Sequence, residues 1–263
     1  MRKRFGQHFL EPVWVDKVIR AIDPQPTDAF VEIGPGRGAL TRPLAARAQS
    51  VLAYEIDRDL ARALQASAPP NLRVLEADFL KTTDSRLLTT DSLRVAGNLP
   101  YNVAAPILFR LIEWAARGVP IADATVMLQR EVADRLTARP GTRDYGVLTI
   151  LIGHRAAAER LLALPPGAFR PVPKVQSALV RLRFHAPEPP VRDPAVFAGV
   201  VAAVFTRRRK TLENALRAYP GATCGPREAL ARADLDGGRR PETLTIAEFA
   251  RLSDAFVADP GGV

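Results

Sequence analysis

Short apolar runs alternate with amphipathic stretches over most of the first 185 residues of this 263-residue chain. This alternation, with compact loops between the segments, is typical of an α/β fold in which a mostly parallel, doubly wound sheet carries helices on both faces. The predicted strands are residues 29–33, 51–55, 72–76, 93–97, 124–128 and 177–184. The predicted helices are residues 13–22, 39–47, 58–66, 104–116 and 130–138.

The pattern of apolar residues changes near residue 186. Between His185 and Pro194 there are four prolines, which make a stiff linker and a plausible domain boundary. The residues beyond it show no strand-like alternation, and 193–206, 211–218, 226–233 and 246–257 have helical patterns. We therefore predict a sheet domain at 1–185 and a small all-helical C-terminal domain at 186–263.

A glycine turn follows the first predicted strand. Gly34 and Gly36 allow the backbone to turn sharply and to approach a ligand closely. Glu55 ends the second strand, where a carboxylate can accept from both hydroxyls of a ribose, and Asp78 follows the third, where it could receive an adenine amino group. The spacing from Gly34 to Ala39 also fits a relaxed dinucleotide fingerprint, so a nicotinamide enzyme is an alternative.

An amide, a proline and an aromatic ring follow the fourth predicted strand, in the segment Gly-Asn-Leu-Pro-Tyr-Asn at 97–102. Ligands of open α/β sheets bind at the carboxyl ends of the strands. Asn98 can accept a hydrogen bond from an exocyclic amine while a neighbouring backbone carbonyl accepts a second, and Tyr101 can stack on a base. Taken alone, the segment is equally compatible with a simple turn. Together with Glu55 and Asp78, it favours methyl transfer over hydride transfer.

Composition restricts the partners. The net charge of +9, from 37 Lys and Arg against 28 Asp and Glu, favours a polyanionic partner. Cys224 is the only cysteine, and His8, His154 and His185 lack ligand spacing, so we expect no metal site. No apolar run approaches the roughly 20 residues of a membrane span, and no signal core follows the N-terminus. We expect a monomeric cytoplasmic protein with no membrane partner.

Five separate segments together resemble the S-adenosylmethionine-dependent rRNA adenine N6,N6-dimethyltransferases, specifically the small-subunit (KsgA-type) enzymes, over almost the whole chain. The matching segments are 4–10 with His8 where many members have Asn, the glycine motif 32–41, Asn98-Leu99-Pro100-Tyr101, 169–178 and 205–216. The resemblance implies a Rossmann-like methyltransferase domain, S-adenosylmethionine as the cofactor, and adenines of small-subunit rRNA as the substrate.

The resemblance also implies roles for individual residues. Asn98 and a backbone carbonyl near Leu99 would accept hydrogen bonds from adenine N6, Pro100 would fix the turn, and Tyr101 and Phe169 would hold the base. These five residues are the predicted catalytic set. The predicted cofactor contacts are His8, Leu10, Gly34, Gly36, Glu55, Asp78 and Asn98.

RNA docking is predicted at Arg207, Arg208, Arg209 and Lys210, with Arg2, Lys3 and Arg4 as a second group. From Ala186 onward there are 11 Lys and Arg against 10 Asp and Glu, so the positive charge of the small domain is clustered rather than general. A solvated helix face is the structural alternative for such a cluster.

Related antibiotic-resistance enzymes that modify large-subunit rRNA usually lack this cationic segment. Mitochondrial transcription-factor relatives are a further alternative, although the chain carries no transit-like extension. We therefore expect the small subunit as target. An enzyme of the antibiotic-resistance type and a noncatalytic ribosome assembly factor on the same fold are the alternatives.

Overall fold

The structure is a computed structural model that describes residues 8–82 and 91–258. The predicted cations Arg2, Lys3 and Arg4, and the first four residues of the segment 4–10, lie outside the described residues. The strands are β1 (Phe9–Leu10), β2 (Ala29–Ile33), β3 (Ser50–Glu55), β4 (Leu72–Glu76), β5 (Leu93–Asn98), β6 (Ile121–Gln129), β7 (Ala156–Leu164), β8 (Phe169–Arg170) and β9 (Ser177–Phe184). The helices are α1 (Pro12–Ile22), α2 (Thr41–Ala45), α3 (Arg58–Ala66), α4 (Ala104–Ala116), α5 (Arg130–Leu136), α6 (Val147–Gly153), α7 (Pro194–Thr206), α8 (Leu212–Leu216), α9 (Pro226–Ala233) and α10 (Ile246–Asp254).

A seven-stranded sheet is built in the order β4-β3-β2-β5-β6-β9-β7 among the described residues. The five strands from β4 to β6 in this order are mutually parallel, and β9 is antiparallel to β6. The α/β prediction is therefore confirmed. From β2, the strands β3 and β4 are added on one side of the sheet, and β5 and β6 are added on the other side. The strand order therefore reverses between β2 and β5. A crevice forms at such a reversal, outside the carboxyl ends of the strands.

The register fixes which residues meet at that edge. Ile33 pairs with Tyr54 on one side and with Gly97 on the other. A side chain on Gly97 would place its Cβ 2.6 Å from the Ile33 carbonyl oxygen, so only glycine permits this close approach of the two backbones. The ends of β2, β3 and β5 are thereby brought level with one another.

Two arginines hold the C-terminal end of α1. Arg94 donates to the Ile22 carbonyl at 2.7 Å and pairs with Asp28 at 2.7 Å and Asp123 at 3.0 Å. Arg181 donates to the carbonyls of Ala21 and Ile22 at 2.6 and 3.1 Å. These contacts satisfy helix carbonyls that have no intrahelical partner, and they fix the helix that follows β1.

The chain divides into two compact units, the first comprising 1–133 with 157–184 and the second 134–156 with 185–263. The segment 134–156 precedes the proline-rich linker, yet its Tyr145 and Ile150 pack in one apolar cluster with Phe197, Phe249 and other residues of the C-terminal helices. Thus the second unit draws on two stretches of chain. The helical character predicted for the C-terminal region is confirmed by α7 to α10.

Sequence patterns predict no element at 147–164, where the structure has α6 and β7. The β7 sequence is rich in Ala, Leu, Glu and Arg, which favour helices. Pairing beside β9 in the sheet overrides that local preference. Across the described ranges, no helix is both long and apolar enough to cross a membrane.

Candidate active site

A cavity of about 300 Å³ lies at the carboxyl ends of the parallel strands, at the predicted position. It lies where strand order reverses, and backbone, carboxylate, amide and apolar groups all contribute to its wall. Most of the predicted site residues line it: His8, Leu10, Gly34, Gly36, Glu55, Asp78, Asn98, Leu99, Pro100 and Tyr101.

The glycine turn adopts a conformation that residues with side chains rarely reach. Gly34 and Gly36 have φ of +69° and +58°. A Cβ on Gly36 would lie 3.2 Å from the ring of Phe9, and one on Gly34 would lie 3.9 Å from the Asn98 carbonyl oxygen. The turn therefore leaves its backbone close to the cavity, where a ligand can contact it.

Glu55 connects this turn to the end of β3. Its Oε2 accepts from the Gly36 N–H at 2.8 Å and its Oε1 from the Asp57 N–H at 2.9 Å. Burial raises the pKa of the Glu55 carboxyl, and the hydrogen bonds from Asp57 and Gly36 act in the opposite direction. Each carboxylate oxygen has a second lone pair, so Glu55 can hold the turn and still accept from ligand hydroxyls.

Asp78 lies at the cavity wall after β4. Its Oδ1 accepts from the Leu80 N–H at 3.0 Å, at the start of the short 3₁₀ helix Phe79–Lys81. The other oxygen, Oδ2, is left as an acceptor. Carboxylates thus lie at the end of β3 and just after the end of the neighbouring strand β4.

The orientation of the Asn98 amide is set by a residue far away in sequence. Asn98 Nδ2 donates to the His8 backbone carbonyl at 2.7 Å. That bond uses the donor side of the amide and leaves Oδ1 as an acceptor toward a ligand amine. The Leu99 N–H donates to the Met127 carbonyl at 3.2 Å, and the Pro100 carbonyl accepts from the Val103 N–H at 3.1 Å, which closes the turn before α4.

Tyr101 is held from two directions. Its hydroxyl lies 3.0 Å from Ser177 Oγ, and its ring stacks on the His8 imidazole with a centroid separation of 5.6 Å. His8 is itself fixed by a 2.6 Å contact between Nδ1 and the Pro171 carbonyl. In this arrangement the side chain of His8 contacts the aromatic part of the site, whereas its backbone carbonyl orients Asn98.

Phe169 is the predicted catalytic residue that does not line the cavity. It is 1% exposed, pairs with Leu10 across the β1–β8 ladder, and packs in the core of the first unit rather than among the residues that line the cavity. Its role as a wall for the base stays a prediction. In the structure it belongs to β8, the strand that pairs with the N-terminal strand β1.

Glu32 is a cavity residue for which the sequence motif suggests no specific role. Its side chain is 2% exposed, and its Oε2 is buried with no hydrogen-bond partner in the described part of the chain. Burial raises its pKa to about 8, and the negative charge of Glu55 adds to the rise. The nearby Thr41 hydroxyl lowers the pKa of Glu32 and offsets part of this rise. Thr41 Oγ1 is itself buried without a well-formed hydrogen bond to the described residues.

We expect this carboxyl to give folding stability a specific pH dependence. The unfolded side chain loses its proton near pH 4.5 and the folded one near pH 8, so the folded state binds more protons between these values. Stability contributed by Glu32 is therefore full below about pH 4.5 and decreases as pH rises to about 8, by up to about 1.4 kcal/mol per pH unit. The free energy of unfolding, measured by urea denaturation at several pH values, should fall less with rising pH for Glu32→Gln than for wild type. The same pH dependence in both proteins would contradict the raised pKa of Glu32.

The predicted RNA-binding residues lie at the C-terminal end of α7, in the second unit. Arg207, Arg209 and Lys210 are exposed, whereas Arg208 is half-buried and bonded to backbone carbonyls. The cluster is therefore not four equivalent cations. Among the described residues, no group of three or more His, Cys, Asp or Glu side chains is arranged to hold a metal ion.

A mostly parallel sheet with its ligand cavity at the strand reversal, a glycine turn after β2 and an Asn-Leu-Pro-Tyr segment at the end of β5 define a methyltransferase with a Rossmann-like fold. The family model for ribosomal RNA adenine dimethylases matches residues 1–256, and the chain belongs to that family. It is an rRNA adenine dimethyltransferase.

Known proteins that are similar in sequence or structure match this chain over almost its whole length. The chain is 44% identical to the ribosomal RNA small subunit methyltransferase A of Acinetobacter baylyi, over 97% of this chain and 92% of the relative. A dimethyladenosine transferase from Plasmodium falciparum superposes with a TM-score of 0.74 and 25% identity, covering 93% and 96% of the two chains. The 23S rRNA methyltransferase ErmE superposes with a TM-score of 0.67 and 29% identity, covering 94% and 99%.

Proposed function

We propose that this protein transfers methyl groups from S-adenosylmethionine to N6 of adenines in small-subunit rRNA and gives N6,N6-dimethyladenosine during assembly of that subunit. The observation that carries the proposal is the Asn98 amide, whose donor side is bonded to the His8 carbonyl while Oδ1 is left to accept from an amine. The nearby Leu99 carbonyl and the Tyr101 ring complete a site of the kind that an amino-bearing base requires.

The cavity residues fit S-adenosylmethionine. Gly34 and Gly36 offer a close backbone, and Glu55 and Asp78 offer acceptors for ribose and adenine. The buried Glu32 carboxyl, whose Oε2 has no hydrogen-bond partner in the described part of the chain, is a further polar group that a ligand in the cavity can contact. When bound, this cofactor supplies an electrophilic methyl group on a sulfonium. A largely apolar cavity suits a transfer that cancels the sulfonium charge.

The residues of the chain then act on the adenine. The lone pair of N6 is delocalised into the ring, so the nitrogen is a weak nucleophile. Hydrogen bonds from its N–H groups to Asn98 Oδ1 and the Leu99 carbonyl would favour a more pyramidal, reactive nitrogen, and stacking on Tyr101 would orient the base. Positioning of this kind can supply several kcal/mol. No strong general base is required, because the proton can leave after the carbon–nitrogen bond forms.

After the first transfer N6 keeps one N–H, so only one of the two acceptors is used in the second. The dimethyl product therefore requires space for a methyl group beside Asn98 and Leu99. In this proposal both transfers use the same site.

The small subunit is favoured as the target for two reasons. The relative from Acinetobacter baylyi named for that subunit is 44% identical, whereas the 23S enzyme ErmE is 29% identical over a similar share of the chain. The cationic residues 207–210 form the docking segment in this proposal, and the affinity of their phosphate contacts would fall with salt. Cytoplasmic location stays a prediction.

The proposal is tested by incubating the protein with methyl-labelled S-adenosylmethionine and either small or large ribosomal subunits that lack the modification. We expect label in small-subunit RNA, recovered as dimethyladenosine after digestion. Label in large-subunit RNA only would favour an enzyme of the antibiotic-resistance type. No label in either subunit, with normal binding to the small one, would favour a noncatalytic assembly factor.

A further inference from the structure

Arg208 uses its side chain within the second unit. Nη1 donates to the Arg143 carbonyl at 2.6 Å and Nη2 to the Thr142 carbonyl at 3.0 Å. Nε lies 3.9 Å from Glu242 Oε2, an oxygen that is otherwise buried without a hydrogen-bond partner among the described residues. Two of the five guanidinium N–H donors are therefore engaged and the charge lies near a carboxylate, which makes Arg208 a poorer phosphate ligand than its exposed neighbours.

The loop that Arg208 holds, residues 139–144, is fastened at a second point. The Gly141 N–H donates to the Glu242 carbonyl at 2.7 Å, and Thr142 Oγ1 donates to the Arg139 carbonyl at 2.7 Å. These bonds hold the loop backbone and leave the side chains of its arginines uncommitted. Arg139 and Arg143 are both exposed and form no ion pair within the described ranges.

A third segment meets the same region. The Leu212 N–H, two residues after Lys210, donates to the Arg239 carbonyl at 2.7 Å. Arg240 follows and is exposed, and Glu242 is the residue that contacts the loop. Three stretches of chain thus converge on a basic surface that we define as Arg139, Arg143, Arg207, Arg209, Lys210 and Arg240.

The chemistry of the basic surface favours RNA phosphates over a protein partner. Exposed guanidinium groups bind phosphate oxygens well, and the exposed carboxylate in the loop, Asp144, is a single opposing charge. Protein interfaces need a buried apolar core. The large apolar side chains that are exposed in the described ranges all lie outside this surface: Val13, Ile56, Phe109, Val172 and Val175.

We propose that Arg208 is a positioning residue that fastens the loop 139–144, so that Arg139 and Arg143 join Arg207, Arg209 and Lys210 in one binding surface for the rRNA backbone. This inference rests on the proposed function, since it takes rRNA as the ligand. It also replaces the expectation that Arg208 contacts phosphate itself.

A double-mutant cycle tests the inference in the full-length protein. Affinity for small-subunit rRNA is measured over a range of salt for wild type, Arg143→Ala, Arg208→Ala and the double variant. Each lost phosphate contact lowers the slope of log affinity against log salt by about 0.7–0.9. We expect Arg143→Ala to lower this slope by about 0.7–0.9, the value for one contact, in the wild-type background. In the Arg208→Ala background the same substitution should change the slope by almost nothing. Additive effects would overturn the proposal.

Two further variants separate positioning from direct contact. Arg208→Lys keeps the charge but replaces the planar fork with a single ammonium group on a shorter side chain, so we expect it to hold the two carbonyls poorly and to behave like Arg208→Ala. Binding restored by Arg208→Lys while the amides at 141–144 still exchange faster than in wild type would mean that Arg208 contacts phosphate directly. The matched control is the adjacent, exposed Arg209→Ala, which should lose one contact and leave hydrogen exchange of the amides at 141–144 unchanged in the absence of RNA. The same amides should exchange faster in Arg208→Ala.

The failure of this inference is distinguishable from the failure of the proposed function. If wild type places no label in small-subunit RNA, the proposed function fails, whatever the variants do. If wild type labels that RNA but the Arg143 and Arg208 effects are additive and exchange at 141–144 is unchanged, only the positioning role fails.

Discussion

Replacing Asn98 with alanine should lower the rate of methyl transfer by about 10²–10³-fold or more while the affinity for S-adenosylmethionine changes only a few-fold. Asn98 Nδ2 is bonded to the His8 carbonyl, and in the proposed reaction Oδ1 accepts a hydrogen bond from the substrate amine. Alanine removes that acceptor and leaves the His8 carbonyl without its donor. Single-turnover transfer to rRNA and calorimetric titration with the cofactor measure the two effects separately.

The isosteric variant Asn98→Asp sharpens the same test. An ionised carboxylate has no N–H to donate, so it cannot form the bond to the His8 carbonyl and loses its fixed orientation. We expect it to be nearly as defective as Asn98→Ala even though it keeps an acceptor. Full turnover by either variant, with the protein folded, would remove Asn98 from the chemistry.

Replacing Glu55 with alanine should weaken S-adenosylmethionine binding by about 100-fold. A carboxylate that accepts from two ligand hydroxyls contributes roughly 1.5–3 kcal/mol per hydrogen bond. Two bonds at the lower value give about 3 kcal/mol, which corresponds to about a 100-fold change in the dissociation constant. The variant also removes the acceptor of the Gly36 N–H, which holds the glycine turn at 2.8 Å. Equilibrium binding of the cofactor measures the loss.

Glu76 provides the matched control for Glu55. The two residues are direct partners in the β3–β4 register, each at the end of its strand. The Glu76 side chain is 51% exposed, lies 4.0 Å from Arg58, and is not among the residues that line the cavity. Glu76→Ala should bind the cofactor within about twofold of wild type, because an exposed ion pair of this kind contributes little. Equal losses in both variants would mean that general destabilisation, rather than the site, is responsible.

The pair Glu55 and Glu76 shows how far sequence reasoning extends. The periodicity of apolar residues predicted both strands correctly, and the order of the chain predicted that their carboxyl ends meet at one edge. Both ends carry a glutamate, and Glu55 was predicted as the ribose acceptor because it lies 21 residues after Gly34 at the end of the strand that follows the glycine turn. The sequence does not show that the Glu55 side chain is buried at the cavity, with 4% of its surface exposed, because this burial follows from the packing of the sheet.

Sequence by itself determined the α/β class, the glycine turn and the presence of an amide and an aromatic ring after β5, because these depend on local periodicity and residue chemistry. Tertiary structure alone decided three other matters: the orientation of Asn98 by His8, the place of Phe169 in the core, and the use of Arg208 to hold residues 142 and 143. Each depends on contacts between residues dozens of positions apart. Such contacts follow from sheet register and core packing, which no local pattern specifies.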